Sequence, residues 1–171
     1  KELELIKNKC EFLAYDGMHK GLILRNDLVS IEMVDVSLIE VQNNIWKIDT
    51  GSPHLICFRE NVTEINVKHE GASIRNSSDY INEGINVNFV QLLNNELFIR
   101  TFERGVEDET LSCGTGAIAS AIAAYESDFI NSDSIKVSVL GGHLEVSFSK
   151  VGSRYSEIHL TGPTQFIFNG E

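Results

Sequence analysis

Residues 117–125, AIASAIAAY, leave no polar face on the helix they would form: Ala117, Ile118, Ala119, Ala121, Ile122, Ala123 and Ala124 cover nearly every side. A helix apolar all round is stable only when neighbours bury it on all sides. The chain must therefore pack its other elements against one central helix. Directly before that helix stands Cys113-Gly114-Thr115-Gly116, preceded by Glu103-Arg104 and an acidic turn. The order reads as a strand end, a turn, a cysteine, a small-residue loop and a helix start.

That order suits chemistry. The first turn of a helix leaves backbone N–H groups without internal partners. Together with the helix dipole they favour an anion such as a carboxylate. Gly114 and Gly116 let a ligand approach the backbone, and Thr115 adds a hydroxyl. The same field is expected to stabilise a thiolate at Cys113 and lower its pKa. Arg104 can hold a carboxylate bidentately, and Glu103 can accept from an ammonium. Together these groups suit an amino acid with more than one charged group. The plainer reading stays open at this point. A lone cysteine beside a helix is usually a small buried hydrophobe, and a Glu-Arg pair is usually solvated.

The rest of the chain sets bounds. Its 171 residues suffice for one domain or two small lobes. A net charge of −11 disfavours nucleic acid and anionic membrane as partners. No apolar run approaches a membrane span, and KELELIKNK lacks the apolar core of a signal peptide. Three cysteines without framework spacing point to free thiols and a reducing compartment, so a cytoplasmic location is expected. Cys10 and Cys57 lie in strand-like surroundings and read as structural. His19, His69, His143 and His159 show no ligand spacing, so no metal is expected.

Short strands are expected over 10–15, 19–25, 28–34, 45–48, 54–58, 85–92, 96–103, 135–140, 143–148, 155–161 and 165–168. Asp16-Gly17, Asn26-Asp27, Asn94-Asn95 and Gly141-Gly142 mark turns between them. Residues 1–9 resemble a helix end, 36–44 a connector, and 61–76 a weakly helical polar segment. The class is α+β: short strands wrapped around a buried helix.

ERGVEDETLSCGTGAIASA resembles the second cysteine signature of the diaminopimelate epimerase family, E-R-G-x-x-E-T-x-x-C-G-T-G. Against that pattern the chain carries one extra residue, with Val106-Glu107-Asp108 between Gly105 and Glu109-Thr110. DTGSPHLICF at 49–58 is similar to the family's G-N-P-H segment, and INVNFV at 85–90 to its N-V-x-F strand. VLGGHLEV and LTGPTQFIFNGE look like its closing strands.

The resemblance implies a cofactor-independent epimerase that interconverts LL- and meso-diaminopimelate with two opposed thiols, in lysine and peptidoglycan precursor synthesis. Cys113 would be one thiol. Gly114, Thr115 and Gly116 would hold the α-carboxylate, and Glu103 would accept from the α-ammonium. Asn86 and Arg104 would bind the distal end. His54 would neighbour and tune the thiol. Ser52 departs from the family's asparagine and offers one donor where an amide has two. The partner implied is a small amino acid, with a homodimer for the full protein.

The family's first cysteine motif, G-N-G-x-R-C, has no match. The chain is therefore expected to be a fragment, inactive alone. Residues 1–43 would be the tail of an N-terminal lobe and 44–162 a C-terminal lobe, with 163–171 a strand returning to the first. Three other readings stand beside this one. They are a non-catalytic carboxylate-binding lobe, a racemase of another amino acid, and a single-thiol hydrolase pairing Cys113 with His54.

Overall fold

Alternating strand patterns punctuated by turn residues produce a fold dominated by sheet. The computed structural model describes residues 7–14, 17–25 and 27–165. Its strands are β1 (Lys9–Ala14), β2 (Gly17–Arg25), β3 (Leu28–Glu32), β4 (Ile39–Gln42), β5 (Ile45–Asp49), β6 (Pro53–Phe58), β7 (Asn86–Leu93), β8 (Glu96–Glu103), β9 (Asp108–Thr110), β10 (Ser134–Val139), β11 (Gly142–Val151) and β12 (Arg154–Pro163). Two helices complete it, α1 (Val67–Arg75) and α2 (Gly114–Glu126). One mixed, mostly antiparallel sheet runs β1-β2-β3-β12-β11-β10-β8-β7-β6-β5-β4, with β9 paired to β8.

Among the described residues two neighbouring pairs, β6/β7 and β8/β10, are parallel. Parallel neighbours need a long crossover, and each crossover here carries one of the helices. The period of two along the central strands then sorts their side chains between two cores. Val87, Phe89 and Phe102 join Leu55 and Cys57 beneath α1. Ile56, Val90, Leu97 and Ile99 join α2. Gly116 through Ala124 are buried along the whole of α2, as the absence of a polar face requires. The same alternation puts His54, Asn86, Asn88 and Thr101 on the α2 side. All four are buried. His54 lies opposite Asn86, and Asn88 opposite Thr101.

Several expectations need correction. The presumed connector at 36–44 contains β4, which pairs with β5 as a hairpin. Its turn is Asn43-Asn44, with φ of 51° and 60°. This is the left-handed turn also made by Asn94-Asn95 between β7 and β8, with φ of 50° and 62°. The central helix starts at Gly114, three residues before its apolar run. The weakly helical polar segment narrows to α1, where the Asn66 side chain accepts from the His69 N–H at the first turn. Within the presumed N-terminal helix end, Lys9 already belongs to β1; residues 1–6 lie outside the described residues. So do Tyr15-Asp16 and Asn26 in the expected turns, and 166–171 of the expected last strand. Among the described residues the end of β12, His159 to Pro163, pairs with β3 from Glu32 to Leu28.

Candidate active site

The two parallel strands β6 and β7 begin at one end of the sheet, where β8 ends. The N-terminus of α2 arrives there too. Cys113 is the N-cap residue of α2, in extended backbone, and no side chain caps the helix. The thiol is nearly buried, 8% exposed. The sequence thus places the cysteine at the helix start as expected, but its titration runs the other way. Burial pushes the Cys113 thiol up, against the Thr115 hydroxyl and the amides of Gly116 and Thr115, which pull it down. The Glu103 carboxylate adds to the upward shift. Desolvation outweighs the helix field here because it penalises the charged form directly. The resting group is a thiol.

His54 reaches the thiol through an intermediate. Its Nε2 lies 3.0 Å from Thr115 Oγ1, and Thr115 Oγ1 lies 3.6 Å from Cys113 Sγ. Its Nδ1 faces Asn88 Nδ2 at 3.1 Å. Burial, then the charge of Arg104, drive the imidazole down to about 3, so it is neutral at physiological pH. A ring with so little affinity for a proton, in contact with Thr115 rather than with the sulfur, is poorly suited to act as a general base for Cys113, which weighs against the hydrolase reading's Cys–His pair. The shift has a consequence for folding. In the unfolded chain the ring protonates below about 6.5, whereas the folded protein holds it neutral until about 3. The unfolded state therefore binds more protons in that window, and stability falls as pH drops through it, by up to about 1.4 kcal/mol per pH unit. The urea midpoint is expected to drop from pH 7 to pH 5, with a smaller drop in His54→Gln.

Arg104 and Ser52 meet at the rim. The Arg104 guanidinium donates to the Glu83 carbonyl at 3.0 Å and to Ser52 Oγ at 3.4 Å. Asn86, expected to bind ligand, is committed to holding these parts together. Its Nδ2 donates to Ser52 Oγ at 2.9 Å and to the Pro53 carbonyl at 3.0 Å, and its Oδ1 accepts from the Arg104 N–H at 2.9 Å. Ser52 Oγ thus accepts twice, which leaves its own proton for a ligand. Glu103 accepts from the Thr110 hydroxyl at 2.8 Å and is half-buried near the thiol.

The loop beyond Arg104 is held by charge. Glu107 pairs with Arg75, Asp108 with Lys68 and Glu109 with Arg100. Gly84 has φ of +71°, and a Cβ there would lie 2.7 Å from Arg104 Cδ. Gly84→Ala is therefore strained twice over and should displace the guanidinium. We expect a loss of about 1–3 kcal/mol of stability, measured by urea unfolding.

Sequence reasoning missed Asn88, Thr101 and Thr50. Thr101 donates to Asn88 Oδ1 at 2.9 Å, and Thr50 donates to the Thr115 carbonyl at 3.2 Å. A signal existed: Asn88 is a polar residue inside an apolar strand, and a buried amide requires partners. Among the described residues no group of three or more His, Cys, Asp and Glu side chains is arranged to hold a metal, and no helix is long and apolar enough to cross a membrane.

Comparison with known proteins places this geometry. The model of the diaminopimelate epimerase family matches residues 46–167. The diaminopimelate epimerase of Flavobacterium psychrophilum is 47% identical over 169 residues, 98% of this chain and 66% of that protein. That of Chlorobaculum tepidum is 41% identical over 135 residues, 76% of this chain and 51% of that protein. The chain thus spans less than two thirds of either relative. Among solved structures, a hydroxyproline epimerase from Agrobacterium vitis with bound trans-4-hydroxy-L-proline superposes with a TM-score of 0.66 at 15% identity, over 95% of this chain and 58% of that one. A phenazine biosynthesis PhzC/PhzF-type protein from Clostridium difficile gives 0.65 at 14% identity, over 99% of this chain and 66% of that one. At such identities these two show the fold alone. The family match over 46–167 and the close sequence relatives settle the membership: this chain belongs to the diaminopimelate epimerase family.

Proposed function

We propose that this chain supplies one of two opposed proton-transfer groups of a cofactor-independent epimerase acting on diaminopimelate. The observation that carries the reading is a thiol at the uncapped start of α2, with the Thr115 hydroxyl beside it and Glu103 and Arg104 at the adjoining strand end. The amides of Gly114, Thr115 and Gly116 would bind the α-carboxylate and take up charge as the α-proton leaves. Glu103 would accept from the α-ammonium. Ser52 and Arg104 would meet the distal charged end, with Asn86 holding both in place.

The chemistry is a balanced proton exchange. A thiolate on one face takes the α-proton while a thiol on the other returns one, and each ends in the other's state. With burial favouring its protonated form, Cys113 would be the thiol of the pair at rest. The second group lies outside the described residues. Cys57 is buried in the α1 core, and the Cys10 thiol sits on β1, directed at the Gly21 carbonyl.

In this reading the sheet forms a lobe wrapped around α2, with β1–β3 and the end of β12 forming part of a second lobe. A homodimer and a cytoplasmic location for the full-length protein follow from the family resemblance. The test is epimerisation by the full-length protein, with LL-diaminopimelate offered beside proline and trans-4-hydroxyproline. Turnover of diaminopimelate alone supports the reading. Turnover of a proline substrate instead makes it a racemase of another class, and ligand binding without turnover makes it a carboxylate-binding protein.

A further inference from the structure

Five side chains on four elements form one continuous chain of polar contacts ending at the thiol: Thr101, Asn88, His54, Thr115 and Cys113. The first three are buried. We propose that Asn88 is a positioning residue, which sets the direction of this chain so that the Thr115 hydroxyl donates its proton to Cys113 Sγ.

The argument is a count of donors and acceptors. Asn88 Nδ2 also lies 3.1 Å from the Leu55 carbonyl, which can only accept. That fixes the amide with its NH2 toward Leu55 and His54, and its oxygen toward the Thr101 hydroxyl, which donates to it at 2.9 Å. An amide NH2 facing His54 Nδ1 requires that nitrogen to be the acceptor. The ring proton must then sit on Nε2, the nitrogen 3.0 Å from Thr115 Oγ1. Thr115 Oγ1 receives that proton as acceptor, so its own hydroxyl hydrogen is released toward its other neighbour, Cys113 Sγ at 3.6 Å. A hydrogen bond donated to sulfur favours the thiolate, and this one opposes the desolvation that raises the thiol. The other charged groups facing the pair are fixed. Glu103 acts on the thiol from the end of β8, and Arg104 acts on the imidazole.

The role of Cys113 in proton transfer is the reading given above, and this inference rests on it. The test needs no substrate, so the two can fail separately. In the full-length protein, the rate of Cys113 alkylation by iodoacetamide against pH reports its thiolate. In Asn88→Asp the carboxylate can only accept, so it draws the ring proton to Nδ1. Nε2 then takes the Thr115 hydroxyl hydrogen away from the sulfur. We expect the thiolate fraction at neutral pH to fall about tenfold, as in Thr115→Val, while Thr115→Ser stays near the native value. A new negative charge alone would act through space. The double variant Asn88→Asp/Thr115→Val separates the causes: the proposal predicts no loss beyond Thr115→Val, and additive losses overturn it. An unchanged profile in Asn88→Asp also overturns it. The native protein gives a second readout by nitrogen-15 NMR of the His54 ring. The proton on Nε2 is expected, and the proton on Nδ1 overturns the proposal even where the Asp variant does not fold.

Discussion

Cys113→Ser is expected to lower epimerisation of diaminopimelate by the full-length protein about a thousandfold, while leaving the fold intact. The hydroxyl is close in size to the thiol and sits at an N-cap position where serine is well tolerated. The loss is chemical. A serine hydroxyl is a far poorer acid and base than a thiol, and positioned proton transfer contributes about a hundred- to ten-thousandfold in rate. Thermal unfolding should shift little. A variant that loses activity together with several degrees of melting temperature would point to a structural cysteine instead. KM should change less than kcat, because in the proposed binding mode the helix amides and Arg104, rather than the sulfur, would meet the carboxylates.

Gly116→Ala is expected to damage stability and activity together. A Cβ at Gly116 would overlap Asn88 Oδ1 and lie 3.3 Å from Cys113 Sγ. The amide of Asn88 cannot yield cheaply, since it is bonded to Thr101, His54 and Leu55. Either α2 shifts along its axis or the hydrogen-bond chain breaks. Overpacking of this kind costs about 1–3 kcal/mol, which denaturant unfolding would read directly. Displacing the thiol by even a fraction of its diameter should cost about a hundredfold in kcat/KM. A methyl at Gly105, where nothing lies within 4 Å, is the control for crowding. It carries only the strain of a φ of +91°, and it should spare the thiol's position.

The central helix was legible because its pattern admits one solution. No arrangement of residues 117–125 exposes a polar side, so burial follows from the residues alone. The strands around it were legible from alternation, and the β7–β8 hairpin from Asn94-Asn95. The same dipeptide signal at Asn43-Asn44 was passed over because the flanking segments are short and mixed, which hid β4. The titration of Cys113 was misjudged for a different reason. The helix field is visible in sequence order, but the depth at which the sulfur lies depends on where β6, β7 and β8 place their ends. Desolvation at that depth prevails. The contacts of Asn86 show the same limit, since it is the register of β6 and β7 that sets it against Ser52, Pro53 and the Arg104 amide. The Asn88–Thr101 contact lies within the β7–β8 hairpin, but its link to His54 required knowing that β6, earlier in the chain, runs parallel beside β7.

The most direct test is to incubate the full-length protein with LL-diaminopimelate in deuterium oxide and follow the α-hydrogen of each isomer at early times. Two opposed groups, with Cys113 on one face, predict deuterium in the newly formed meso isomer and protium retained in the remaining LL isomer; in Cys113→Ser the deuterated meso isomer should not form and the LL isomer should keep its protium. Deuterium appearing equally in the starting isomer, or exchange that survives Cys113→Ser, would contradict the account.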